Sequence, residues 1–183
     1  MQESTLIDRA KEGDSQAFAK LYDAYVRQIY DFIYYKTHHK ETAEDLTSDT
    51  FMRALERIGQ FESGRPLKPW LYRIAQNIVI DHYRKSSRET VVEDVWDIPD
   101  DGDALLDTET RDHVRELKGH LKNLSSVQRD ILTLRLWQGL SYKEIALIVD
   151  KEEANCKVIY SRTLKSLQSE MAGAIMLLLL IHL

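Results

Sequence analysis

Between Gln16 and Lys36, the apolar side chains Phe18, Leu21, Tyr22, Tyr25, Val26, Ile29, Phe32 and Ile33 recur at i, i+3 and i+4 spacing. That is the period of a helix with one apolar face, and the face reads as core, not as a cofactor box. Leu6 to Lys11 makes a short helical start before it, and Gly13-Asp14-Ser15 marks a stop followed by a new cap. After a polar loop at His38-His39 a second pattern runs from Ala43 to Ile58, with Leu46, Thr50, Ala54, Leu55 and Ile58 on its buried stripe. Its other side carries Asp45, Ser48, Asp49, Met52 and Glu56, an acidic face with no partner in the same helix. Gly64 and Pro66 in the hinge Phe61-Glu-Ser-Gly-Arg-Pro break the helix there. A further pattern, Trp70 to Arg84, is predicted to bury Leu71, Ile74, Ala75 and Ile78 and to turn Arg73, Asn77 and Arg84 outward, with Lys85 and Arg88 just beyond. An acidic helix face beside a basic, Asn-bearing one points to a protein that grips another protein with one helix and nucleic acid with the next.

The second half follows the same period. Thr110 to Asn123 is predicted as a helix through Val114, Leu117 and Leu121. Ser125-Ser-Val-Gln128 reads as a capping box opening a helix that buries Ile131, Leu132, Leu134 and Leu136, and Gln138-Gly139 ends it. Ser141-Tyr-Lys-Glu144 is a second box, before Ile145, Ala146 and Ile148, and Asp150-Lys-Glu-Glu153 is read as a third. Two short helices joined by a tight turn, the second bearing Asn155, Lys157, Ser161, Arg162 and Lys165, form a helix-turn-helix. The fold class expected is all-α: two small helical domains, residues 1–88 and 111–171, joined by an acidic linker, 89–110, and followed by an apolar tail, 172–183.

Net charge is −5 over 183 residues, which taken whole argues against nucleic acid. Residues 1–61 carry −3, 62–88 carry +4, 89–112 carry −9 and 113–183 carry +3. Salt screens exposed charges beyond about 8–10 Å, so local patches decide what binds where. The acidic stretch 89–112 lies between two basic segments and is expected to fold over them in the free protein. The tail "AGAIMLLLLIHL" has no charge and is shorter than the ~20 residues of a membrane span. Packing on this chain's own surface, a docking strip and an altered terminus all remain open for it.

No Gly-rich phosphate loop, HExxH or nucleophile–base pair can be read from spacing, so no catalysis and no cofactor are expected. His38 and His39 lack partners at ligand spacing, and no metal site is expected. A single cysteine, Cys156, excludes a disulfide framework and fits a reducing cytoplasm, and the start Met1-Gln-Glu-Ser has no signal-peptide character.

"AEDLTSDTFMRALERIGQFESGRPLKPWLYRIAQNIVIDHYRK" resembles the second conserved domain of bacterial extracytoplasmic-function sigma factors, which direct RNA polymerase to promoters. "GLSYKEIALIVDKEEANCKVIYSRTLKSL" resembles their fourth. The resemblance implies that Asp45, Ser48, Asp49 and Met52 dock on the β′ clamp of core RNA polymerase. It places Asn77 at the base-reading position for the −10 element, with Arg73, Arg84 and Lys85 on phosphates and Phe61 to Arg65 at the pocket for a flipped base. It assigns Asn155, Lys157, Val158, Ser161, Arg162 and Lys165 to the −35 element, Cys156 to an inward position, and an anti-sigma factor to the list of partners. The sequence departs from the family at Ser48, where glutamine is more usual, at Pro66-Leu67, at Ile159, where arginine is common, and at Glu152 and Glu153. A sigma-like adaptor or helix-turn-helix regulator that starts no transcription is the alternative reading.

Overall fold

The computed structural model describes residues 2–89 and 123–170, with the side chains of 86–89 and of residue 170 left aside. The chain divides into two compact units, Met1–Asp94 and Val95–Leu183. Every regular element among the described residues is helical. The acidic stretch 89–112 beyond its first residue, the helix expected from Thr110 to Asn123 and the tail 172–183 lie outside the described residues. So does the expected folding of that stretch over the basic faces.

In the first unit, α1 (Glu3–Lys11), α2 (Ser15–Thr37), α3 (Lys40–Arg57) and α4 (Leu67–Glu89) surround one core. Leu21, Tyr25, Ile29, Phe32 and Ile33 of α2 are buried, as the period predicts. Tyr22 differs: it sits at the edge of the stripe, is 40% exposed, and lays its ring edge-on to Phe51 at 4.7 Å. On α3 the expected stripe holds at Leu46, Thr50, Ala54 and Ile58, but its flank differs: Leu55 stays exposed, and Phe51 is buried beside the stripe. Thr47 and Thr50 are buried in that helix because each hydroxyl donates to a carbonyl one turn back, Ala43 at 2.6 Å and Leu46 at 2.7 Å. From α4, Tyr72 meets Phe32 at 5.1 Å. Burial, and then the negative charge of Asp31, push the Tyr72 hydroxyl above its ordinary pKa.

Caps set the lengths of these helices. Asp14 opens α2 by accepting from the backbone N–H groups of Gln16 and Ala17, and Arg9 of α1 donates to the same carboxylate at 2.8 Å. The Ala17 N–H, then the Arg9 side chain, hold the Asp14 carboxyl below its ordinary pKa. His38 and His39 form the loop between α2 and α3, with His39 exposed as expected, and each also caps a helix. His38 closes α2 in the left-handed conformation, φ +47°, and the His39 ring accepts from the Thr42 N–H to open α3 three residues earlier than the apolar stripe implied. Gly64, φ +90°, takes the chain through a turn that residues with a Cβ rarely adopt, and α4 begins directly after Pro66.

The second unit contains α5 (Ser126–Leu136), α6 (Tyr142–Val149) and α7 (Glu153–Glu170). Both expected capping boxes are formed, Ser125 with Gln128 and Ser141 with Glu144. The third is corrected: Asp150 is the left-handed C-cap of α6, φ +54°, and α7 starts only at Glu153. Leu136, expected inside, is at the end of α5 and 39% exposed. Ile131, Leu134, Leu140, Ile145 and Cys156 fill the core, and Gln128 donates to Thr163 at 3.1 Å to tie α5 to α7. Cys156 is inward, as expected, and burial raises its thiol pKa.

Candidate functional surfaces

Asp45, Ser48, Asp49 and Met52 occupy one face of α3 because i, i+3, i+4 and i+7 fall within a single helical stripe. All four are exposed, Met52 at 57%. Glu56 and the misplaced Leu55 extend the same side, so the face is acidic with two apolar side chains among the carboxylates. Beside it, an open groove of about 350 Å³ is lined by Tyr22, Val26, Arg27, Tyr30, Glu44, Thr47 and Ser48. That combination suits a partner surface with cations around an apolar ridge.

On α4, Arg73, Asn77 and Arg84 are exposed and Lys85 follows them. Sequence reasoning missed Ile80, which lies between Asn77 and Arg84 on this stripe and is 52% exposed. Its position three residues after Asn77 was the available signal. Arg84 is 3.1 Å from Asp81, and Asp81 also faces Arg53 of α3 at 3.9 Å. The stripe thus offers two guanidinium groups, an amide able to donate and accept, and a bare aliphatic wedge.

The connection from Phe61 to Arg65 is built in two layers. The Phe61 ring is 5% exposed and packs on Trp70 at 5.1 Å, so it anchors the loop from inside and does not itself face a ligand. Glu62 and Arg65 are outside and paired at 2.7 Å. Under them, Lys11 of α1 donates to the Phe61 carbonyl at 2.9 Å and to the Ser63 hydroxyl at 3.0 Å, and Ser63 donates to Asp8 at 3.1 Å.

In the second unit, Asn155, Lys157, Val158, Ser161, Arg162 and Lys165 are all exposed on α7. Lys157 lies 2.9 Å from Glu153 and 5.8 Å from the centre of the Tyr142 ring, which also carries Arg135 at 4.8 Å. The pairing offsets the negative charge that Glu153 brings to the start of α7. Ile159 is half-buried, between the exposed face and the core. A helix with these side chains one turn apart has the shape and polarity for a DNA major groove. Among the described residues there is no cluster of three or more potential metal ligands and no helix long and apolar enough to cross a membrane.

Residues 21–89 match the sigma-70 region 2 family and residues 116–167 the sigma-70 region 4 family. The extracytoplasmic-function RNA polymerase sigma factor BldN of Streptomyces coelicolor is 39% identical over 88% of this chain, which spans only 63% of that protein. Its counterpart SigM of Bacillus subtilis is 32% identical, with 82% of this chain and 92% of the relative covered. Among solved structures, the sigma factor RpoE of Bartonella quintana, crystallised with the anti-sigma factor NepR, is similar at 28% identity and a TM-score of 0.66, covering 85% of this chain and 96% of that one.

Proposed function

We propose, from the premise that the chain belongs to the extracytoplasmic-function RNA polymerase sigma factors, that its acidic α3 face docks on the β′ clamp of core RNA polymerase while α4 and α7 hold the two parts of a promoter. The carboxylates Asp45 and Asp49 would meet clamp cations, with Ser48 and Met52 filling the space between. On α4, Asn77 would read an unpaired base edge, Arg73, Arg84 and Lys85 would hold phosphates, and the loop to Arg65 would receive a flipped base. On α7, Asn155, Lys157, Val158, Ser161, Arg162 and Lys165 would enter the major groove of the −35 element. Bond-making belongs to the polymerase in this scheme, so the chain itself needs no catalytic group.

The observation that carries this reading is the side-by-side display, on two helices of one unit, of an acidic face and a basic one. A single acidic face would suit any protein partner, and a single basic stripe any nucleic acid. Their juxtaposition suits a protein that must hold both at once. An anti-sigma partner fits the same α3 face and the groove beside Tyr22, since covering them blocks polymerase; RpoE was solved with such a partner.

Reconstitution tests the proposal. Purified chain with core polymerase is expected to give promoter-specific transcripts from templates carrying selected −35 and −10 sequences. Stable polymerase binding with no transcript from any selected template would overturn it in favour of an adaptor.

A further inference from the structure

Helix α1 lies before residue 21, where the match to the sigma-70 region 2 family begins. It nevertheless supplies the polar groups that fix the loop beside α4. Lys11 is the last residue of α1, so its ammonium extends past the helix end toward the 3₁₀ turn Ile58–Gln60. There it meets the Phe61 carbonyl at 2.9 Å and the Ser63 hydroxyl at 3.0 Å. The hydroxyl accepts from Lys11 and passes its own proton toward Asp8 at 3.1 Å, one turn back on α1. Three side chains and one carbonyl therefore form a chain of charge-assisted hydrogen bonds across some fifty residues of sequence.

The chain of bonds acts where the backbone has least support of its own. The Phe61 N–H donates to Ile58 at 3.0 Å and the Arg65 N–H to Glu62 at 3.3 Å, while Gly64 between them is left-handed with open space around it. A glycine in open space is free to leave that conformation. Lys11 is half-buried, and the loop's outer side chains, Glu62 and Arg65, are exposed. Ser63 and Asp8 are exposed as well, so α1 holds the loop along a solvent-facing edge and, at the Phe61 carbonyl, from a part-buried one.

We propose that Lys11 and Asp8 are positioning residues for −10 recognition: through Ser63 they hold the Phe61–Arg65 loop in the one shape that accepts an unpaired base. This rests on the proposed role of α4 and its preceding loop. Without the clamp, Gly64 lets the loop sample several shapes, and a loop with several shapes accepts several bases. The expected signature is lost discrimination, not lost polymerase binding.

The test uses the full chain with core polymerase and forked promoter DNA carrying each of the four bases at the unpaired −10 positions. Lys11→Met keeps the aliphatic stem and removes the donors; Ser63→Ala cuts the relay from the other side; Lys11→Arg restores a cation. Lys11→Met and Ser63→Ala are each expected to reduce base preference by about fivefold or more, the scale of one base contact, with core affinity unchanged. Lys11→Arg is expected to recover most of it. A general loss of fold would lower binding to all four bases alike, which leaves the ranking intact and overturns the clamp. Wild-type preference in both Lys11→Met and Ser63→Ala overturns it as well. Wild-type chain that shows no preference among the four bases removes the −10 reading itself, and the clamp with it.

Discussion

Arg53 of α3 and Asp81 of α4 face each other at 3.9 Å, and Asp81 also holds Arg84 at 3.1 Å. The helix proposed to meet polymerase and the helix proposed to meet DNA therefore share a carboxylate, and under that proposal the carboxylate would compete with phosphate for Arg84. In Asp81→Asn we expect unfolding free energy to change by less than about 1 kcal/mol, since all three groups are partly exposed. Single-stranded DNA binding should tighten at low salt, with a salt slope steeper by about 0.7, the value of one added phosphate contact. An unchanged slope would show that Arg84 does not touch DNA.

Reversing charge on α3 separates docking from folding. Asp45 and Asp49 are exposed, so Asp45→Lys with Asp49→Lys should leave the circular dichroism spectrum as it is. Affinity for core polymerase should fall by roughly tenfold or more, because like charges then meet across the interface. Intact affinity in a pull-down or fluorescence titration would show that polymerase uses another face.

What could be read from the chain alone follows from how local each signal is. The i, i+3, i+4 stripe of α2 needs no knowledge of neighbours, and its buried set came out nearly whole. Leu55 and Phe51 sit beside the α3 stripe, where spacing alone does not say how much of the flank is covered; Phe51 is buried and meets Tyr22, and Leu55 is exposed. His38 and His39 were unreadable as caps, since histidine is not among the residues that usually take those positions. Asp150 was read as starting a helix when it ends one; the same short polar side chain suits both an N-cap and a left-handed C-cap. The outward faces of α3, α4 and α7 were legible from spacing, whereas Ile80 and the Lys11–Ser63–Asp8 relay became visible only with the helices placed.

Asp14 gives the stability of the first unit one pH-dependent contribution. Its folded carboxyl lies below the ordinary value of 3.8, through the Ala17 N–H first and Arg9 second. The unfolded chain therefore binds this proton at higher pH than the folded one. The stabilisation is complete above the ordinary carboxylate range and drains away as pH falls through 3.8 toward the folded pKa. Asp14→Asn keeps an acceptor for the cap but cannot titrate. Its melting temperature should be lower than wild type at pH 7, and the gap should narrow by pH 3. Parallel curves for the two proteins would refute the assignment.

Tyr142 links the packing of the second unit to the α7 surface proposed to meet DNA. Its ring carries Arg135 at 4.8 Å and Lys157 at 5.8 Å and meets Tyr160 edge-on at 5.7 Å, while Arg135 also donates to the Leu140 carbonyl at 2.8 Å. Each cation over a ring contributes about 0.5–1 kcal/mol where water still reaches it, so Tyr142→Ala should cost roughly 1–3 kcal/mol once the lost ring packing is added. Tyr142→Phe keeps both the ring and its quadrupole and should stay near wild type. The same pair of variants reports on α7. If the ring holds Lys157 in place for the −35 element, Tyr142→Ala should weaken duplex binding beyond what Arg162→Ala does alone, and Tyr142→Phe should not. Equal affinities for Tyr142→Ala and wild type, measured where both are folded, would restrict Tyr142 to the core.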